Sequence, residues 1–264
     1  MTAAIPTFPH CEITRDTRGA YTATITNARS LNILGTPVIE SVTGALRWLA
    51  AQPDARCVVL RGSGERAFVG GADIHEMAGL DPAGARAFIT RLAGLCEAAR
   101  AIPVPTIARC AGFCLGGGLE LAAACDIRLA SEEAVFGMPE VRVGIPSVIH
   151  AALLPRLIGE GATNWLLLTG ETVAARQALA WGFVQFLCPE GGLDALVERT
   201  VAPIVASGPG AIRQQKHLLR YWQDHELEAG IARSIDLFEE AFATEEPATY
   251  MAPFLNRKRS KPAP

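Results

Sequence analysis

The stretch that decides the fold reads Pro105-Thr-Ile-Ala-Arg-Cys-Ala-Gly-Phe-Cys-Leu-Gly-Gly-Gly-Leu-Glu-Leu-Ala-Ala-Ala-Cys-Asp-Ile-Arg-Leu-Ala130. Residues 105–108 form a short apolar run that predicts a buried strand, Gly112 and the Gly116-Gly117-Gly118 triplet predict turns, 119–125 predicts a helix and 127–130 a second strand. A strand–helix–strand succession of this kind is a unit of an α/β sheet covered by helices.

The same alternation extends upstream. Thr22-Ala-Thr-Ile-Thr26 alternates like a strand with one buried face, and Thr36-Pro37 predicts an N-cap with proline at the first helical position. Val38, Ile39, Val42, Leu46 and Leu49 follow at helical spacing to about residue 50, and Cys57-Val-Val-Leu60 predicts a further buried strand. A glycine-rich loop, Arg61-Gly-Ser-Gly64, leads to Ala67-Phe-Val-Gly-Gly-Ala-Asp-Ile74, and the alanine-rich stretch 82–100 predicts a helix. From Ser147 onward the pattern is nearly all helical (164–168, 174–181, 193–206, 211–221, 227–242 and 250–257), with one candidate strand at 183–187. The expected organisation is an α/β core over 1–190 followed by a helical region over 191–264, without internal repeat or linker.

Composition bounds the function. Of 264 residues half are hydrophobic, and 24 Lys+Arg against 27 Asp+Glu leave a net charge of -3, so the chain has the apolar surface to fold and lacks the cation surplus of a nucleic-acid binder. No apolar run reaches the length of a membrane-spanning helix, and the N-terminal residues lack the charged start and apolar core of a signal peptide. A soluble, cytoplasmic protein is expected, with neither nucleic acid nor membrane as partner. The seven cysteines are scattered without a CxxC pair and no histidine stands at metal-ligand spacing, which predicts reduced core thiols and no metal.

Three glycines directly before a helix leave its first N–H groups approachable, and those donors, with the helix dipole, favour negative charge developing on an oxygen. Glu120 falls in the first turn of that helix, and a second carboxylate, Glu140, lies in Phe136-Gly-Met-Pro-Glu140. Two glutamates beside an anion-stabilising turn suit general acid/base work on a carbonyl substrate. The local pattern alone is equally met by a dipole-complementing Glu120 and a loop carboxylate at Glu140. The G-x-G-x-x-G order of a dinucleotide turn, the phosphate-cradling G-x-x-x-x-G-K-[ST] loop and a G-x-S-x-G nucleophile elbow are all absent.

Three blocks, Ala67-Phe-Val-Gly-Gly-Ala-Asp-Ile-His-Glu-Met77, residues 112–126 and Phe136-Gly-Met-Pro-Glu-Val-Arg-Val-Gly144, resemble in order and spacing the signature blocks of the enoyl-CoA hydratase/isomerase (crotonase) family. Leu154-Pro-Arg-Leu-Ile-Gly159, Leu168-Thr-Gly170 and 174–184 extend the resemblance over residues 10–260. It implies a crotonase-like α/β spiral of ββα units in two sheets, with a C-terminal helical trimerisation region, assembled as a homotrimer or dimer of trimers. It implies that the amides of Ala72 and Gly117 form an oxyanion hole for a thioester carbonyl, with Gly116 beside them, and that Asp73, Ile74 and His75 run along the CoA pantetheine. Glu120 and Glu140 match the two catalytic glutamates of the hydratases, which position a water for attack on Cβ and return a proton to Cα. Which acts as base is left open, since neighbouring carboxylates titrate as a pair.

With both carboxylates in place, the implied reaction is reversible hydration of a trans-2-enoyl-CoA to a 3-hydroxyacyl-CoA, with the CoA thioester as substrate and no cofactor. The alternatives are another crotonase-type reaction (double-bond isomerisation, thioester hydrolysis, decarboxylation) or non-catalytic acyl-CoA binding. Arg29 matches a basic position near the CoA phosphates, and Phe254 with Lys258 or Lys261 a C-terminal region that meets the adenine end. After Gly144 the chain departs from the family's glycine-rich P-G-x-G-G-T turn: it is one residue shorter, and Ser147, Ile149 and His150 stand where glycines are expected. Ile149 and His150 are therefore expected in the acyl pocket, narrowing it toward short or unusually shaped acyl groups. His150 is also a candidate third acid/base group, against the blander reading of a packed helix histidine. Pro247 and Pro253 predict an altered start to the last helix.

Overall fold

The computed structural model describes residues 4–255. Apolar residues at every second position build an antiparallel pair, β1 (Cys11–Arg15) and β2 (Ala20–Ile25), in which Cys11 faces Ile25 and Cys11, Ile13, Tyr21, Ala23 and Ile25 are buried. Helix α1 (Thr36–Ala50) buries Val38, Ile39, Val42, Leu46 and Leu49 along one stripe. Its N-cap is Gly35 rather than Thr36, because the cap bond comes from elsewhere in the chain: the Glu76 carboxylate accepts from the Thr36 N–H at 2.9 Å and from the Thr36 hydroxyl.

Three turns of the spiral follow. Strand β3 (Cys57–Gly62) leads through β4 (Ala67–Val69) and a one-turn helix α2 (Ile74–Met77) to α3 (Pro82–Arg100), which Asp81 caps by accepting from the Gly84 N–H. Strand β5 (Thr106–Cys110) leads through β6 (Phe113–Leu115) to α4 (Gly117–Ala124). Strand β7 (Ile127–Ser131) leads through β8 (Val135–Gly137) to two 3-10 turns, Pro139–Val143 and Ile149–Leu153, and then α5 (Leu154–Thr169). After β9 (Thr172–Ala174), α6 (Ala175–Ala180) and β10 (Phe186–Cys188) the chain turns helical: α7 (Leu193–Ala206), α8 (Pro209–Asp224), α9 (Leu227–Phe242) and α10 (Glu246–Leu255).

The first strand of each turn joins a six-stranded sheet ordered β1-β2-β3-β5-β7-β10, parallel except at β1/β2. The second, three-residue strand of each turn joins a four-stranded sheet, β4-β6-β8-β9, parallel except at β8/β9. This is the ββα spiral that the resemblance implied. Helix α4 is buried at every position, which its run of Gly, Leu and Ala permits against close neighbours. All seven cysteines are buried free thiols, and burial pushes those of Cys11 and Cys57 up to about 12.

Two compact units meet in sequence between Val201 and Ala202. The first contains both sheets. In the second, the Glu246 carboxylate accepts from the Gly210 and Ala211 N–H groups at the start of α8 (2.9 and 2.7 Å), and the Trp222 indole donates to the Gly230 carbonyl. Pro247 accordingly sits in the first turn of α10, where the missing N–H costs nothing, and Pro253 lies inside it. Phe254 is an exposed residue of α10, while Lys258 and Lys261 lie outside the described residues. Among the described residues no helix is long and apolar enough to cross a membrane, and no group of three His, Cys, Asp or Glu is placed to hold a metal ion.

Candidate active site

One wall is the loop between β4 and α2. The Leu34 N–H donates to the Gly71 carbonyl (2.9 Å), and the Asp73 N–H donates to the Leu34 carbonyl (3.1 Å). Leu34 thus straddles Ala72 in a parallel bridge, and in that pattern the N–H and C=O of the straddled residue point to the opposite side. Asp73 is buried and doubly occupied: it caps α2 by accepting from the His75 N–H (3.0 Å) and pairs with the Arg29 guanidinium (3.0 Å).

The facing wall is the glycine triplet. Gly116 has φ 52 and ψ -124, a backbone state essentially confined to glycine, and a Cβ there would meet Glu140 Oε1 at 2.6 Å. A Cβ on Gly118 would meet the Val69 carbonyl at 2.3 Å, so only glycine lets α4 approach β4 this closely. The Gly116 N–H donates to the Gly137 carbonyl (2.9 Å), which fixes the turn to β8, while Gly117 opens the helix with an orphan first-turn amide. Among the described residues, no backbone carbonyl accepts from the amide of Ala72 or of Gly117.

Between these walls lies a cavity of about 520 Å³, in which Ala72, Gly116, Gly117, Glu120 and Glu140 all take part. Its remaining surface is mostly apolar: Leu92, Phe88 and Ile89 from α3, Leu115 from β6, and Val143, Ile145 and Val148 beyond Glu140. Glu120, only 3% exposed, accepts from the Ala151 N–H at 3.0 Å. Burial pushes its carboxyl up to about 8, against the pull of that N–H and with a further push from Glu140. Glu140 is half-buried and accepts from the Ser147 hydroxyl at 2.9 Å. Burial raises its carboxyl too, offset by its own backbone N–H and by the Ser147 bond. An apolar cleft holding two carboxyls with a raised proton affinity, faced by two unengaged amides, is equipped to move protons next to an oxygen that gains negative charge.

The structure brings Ala72, Ile74, Gly116, Gly117, Glu120 and Glu140 together around this cavity. Arg29 and Asp73 form an ion pair behind the Ala72 wall, and His75 is exposed on α2, outside the lining. Ile149 and His150 correct the expectation made of them. Ile149 has φ 42, a left-handed state costly for a β-branched residue, and this twist packs its side chain against the core. His150 lies 3.6 Å from Glu97 on α3. Val148, Pro146 and Ile145 line the cavity where Ile149 and His150 were expected. Sequence reasoning read Ser147 only as added bulk; its hydroxyl bond to Glu140, like the Ala151 amide on Glu120, depends on a turn whose course the residues alone do not reveal.

The family model described as enoyl-CoA hydratase/isomerase matches residues 17–261. The chain is 30% identical to a short-chain-enoyl-CoA hydratase of Clostridium acetobutylicum and 31% identical to a crotonyl-CoA hydratase of Syntrophomonas wolfei, each match covering 89% of this chain and 91% of the relative. Among solved structures, an enoyl-CoA hydratase of Mycobacterium smegmatis superposes with a TM-score of 0.91 at 28% identity, covering 96% of this chain and 98% of that one. An enoyl-CoA hydratase of Bacillus anthracis gives 0.90 at 28% identity over 94% and 97%. With the ββα spiral, the paired glutamates and a match over nearly its whole length, the chain belongs to the enoyl-CoA hydratase/isomerase family.

Proposed function

We propose that this protein is an enoyl-CoA hydratase, adding water reversibly across the double bond of a trans-2-enoyl-CoA to give a 3-hydroxyacyl-CoA. The observation that carries the reading is the convergence of Glu120 and Glu140 on one apolar cavity whose two facing walls bear the Ala72 and Gly117 amides. Those amides take the thioester oxygen as it becomes enolate-like; one such donor is worth about 2.7–4 kcal/mol to a transition state. An ionised glutamate accepts a proton from water, the water oxygen bonds to Cβ, and the protonated glutamate gives its proton to Cα. Passage of the accepted proton from one carboxyl to the other restores the starting state. CoA enters as part of the substrate, and no cofactor takes part.

The same reading places Ile74 on the path of the pantetheine arm, where it is exposed at the cavity wall, with Asp73 and His75 on either side of it in the chain and Arg29 paired to Asp73. Buried free thiols suit a reducing compartment, and the reading is of a cytoplasmic enzyme. It acts as a homotrimer or a dimer of trimers, a state favoured by the apolar residues that α9 leaves exposed. The deciding experiment follows the enoyl absorbance of crotonyl-CoA with the wild type, Glu120→Gln and Glu140→Gln. Wild-type turnover with loss of about 10²–10⁴-fold in each variant, and substrate binding retained, is expected. Absence of turnover with every 2-enoyl-CoA tried would overturn the reading.

A further inference from the structure

Helix α3 forms one long side of the Glu120–Glu140 cavity, and its lining residues are spaced along the helix. Leu92 stands at the inner end: its Cδ2 is 3.0 Å from the place a Cβ on Gly117 would take, beside the Gly117 amide. Phe88 and Ile89 line the cavity about one turn nearer the helix start, and Ala85 and Arg86 about one turn nearer still. Met77 and Leu80 complete this outer end, with Leu80 packed against Gly84. The stretch of helix from Leu92 to Arg86 measures about 9 Å.

Arg86 is exposed, and among the described residues it is the one cation in a lining whose other charged members are Glu120 and Glu140. The other arginines of α3 are engaged, Arg91 by Glu40 and Arg100 by Glu97, whereas no carboxylate among the described residues pairs with the Arg86 guanidinium. Nor does the helix call for a cation here. The residues three and four positions away are Pro82, Ala83, Ile89 and Thr90, and the second turn lies near the positive end of the helix dipole. We propose that Arg86 is a specificity residue that binds a carboxylate at the far end of the acyl group, so that the protein acts on 2-enoyl-CoA thioesters of dicarboxylic acids. This rests on the hydratase reading and narrows its substrate class. A carboxylate in an apolar cleft needs a partner, the more so near the Glu120–Glu140 pair, and a guanidinium supplies one with two parallel N–H donors. A methyl-ended chain gains nothing from that group and strips part of its water. Arg29, Asp73 and His75, next to the CoA arm, lie outside the lining that Arg86 shares with both glutamates, so its anion belongs to the acyl group rather than to the CoA phosphates.

The test measures kcat/KM for substrate pairs matched in length, one ending in a carboxylate and one in a methyl: glutaconyl- against pent-2-enoyl-CoA, and dehydroadipyl- against hex-2-enoyl-CoA. The wild type should prefer the carboxylate member of at least one pair. In Arg86→Met, a good helix former at an exposed position, that preference should fall by about 10–100-fold, as expected for loss of a charge-assisted pair. Arg86→Glu should lower it further. A wild type that turns over the methyl member of both pairs at least as well overturns the proposal, as does a preference that either variant leaves unmoved. An equal fall for both members of each pair would put Arg86 on the CoA phosphates and overturn it as well. Should the wild type hydrate no 2-enoyl-CoA, the hydratase reading falls by itself. Calorimetric binding of the saturated glutaryl- and pentanoyl-CoA, and of adipyl- and hexanoyl-CoA, to wild type and Arg86→Met then still decides whether Arg86 selects the carboxylate.

Discussion

Glu120 links the chemistry of the site to the stability of the fold. Its carboxyl titrates near 8 in the folded protein against an ordinary 4.5, so between those values the folded state holds a proton that the unfolded state has released. Stability from this group is therefore complete below about 4.5 and falls as pH rises toward 8, by an amount on the order of 3–5 kcal/mol. Glu120→Gln, neutral throughout and still able to accept from the Ala151 N–H, should melt several degrees above wild type at pH 8, with the gap closing at pH 4.5. Melting curves that stay parallel across this range would refute a protonated Glu120. Gly116→Ala makes the complementary test. The methyl would need φ near 52 and would stand 2.6 Å from Glu140 Oε1, displacing the carboxylate. Hydration should fall at least about 10²-fold, as expected for a misplaced acid/base group, with a loss of roughly 1–3 kcal/mol in stability. Both values are read from one preparation, by enoyl absorbance and by thermal unfolding.

At the scale of elements, α1, α2 and the Ala72 loop act as one assembly because the Glu76 side chain crosses from α2 to the first turn of α1. Glu76→Ala removes the only side-chain acceptor seen on the Thr36 amide among the described residues and should cost about 0.5–2 kcal/mol, measured as a lowered denaturant midpoint at unchanged slope. Because α2 directly follows Ala72 and Asp73, kcat should fall as well; an unchanged kcat would show the loop to be held by the Leu34 bridge alone. This cap also explains why Thr36-Pro37 misled the reading of the helix start: the sequence supplies a plausible local cap, while the actual one arrives through the tertiary fold. The longer elements were legible. Residues 82–100 and 227–242 carry enough helical turns for their period to be read, and Cys57 and its neighbours enough apolar residues for a buried strand. Strands β4, β6, β8 and β9 span three residues each, too short to show a period, so the second sheet was implied only by the family resemblance and is seen in the pairing of Phe113 with Val135 and of its neighbours. The candidate carboxylates stood out for a different reason, though the family resemblance was needed to give them a role. Glu120 follows a glycine triplet whose physics is local, whereas Ala72 owes its free amide to Leu34, far earlier in the chain, and could be assigned only through the family resemblance.

At the scale of the whole molecule, the amphipathic α9 leaves an apolar face exposed among the described residues. Leu227, Ile231, Ile235, Phe238 and Phe242 recur at helical spacing and are each more than half exposed, with Phe238 and Phe242 in ring contact. A continuous apolar stripe of this kind on a single chain marks an association surface. If it seats another copy, as in the trimer proposed above, sedimentation should give a species of three or six times the 28.0 kDa chain. The thermal midpoint should also rise with protein concentration, because association stabilises only the folded chain. Ile235→Glu together with Phe238→Glu would place two charges in the centre of that contact and should yield a monomer that melts earlier, its midpoint now independent of concentration. The Glu120–Glu140 cavity is lined wholly by residues of the first compact unit. The dissociated variant therefore separates two possibilities: retained hydration means that one chain's cavity suffices for the chemistry, and lost hydration means that assembly completes the site. A wild-type chain that sediments as a monomer at every concentration would show that the stripe is covered by something other than its own copies.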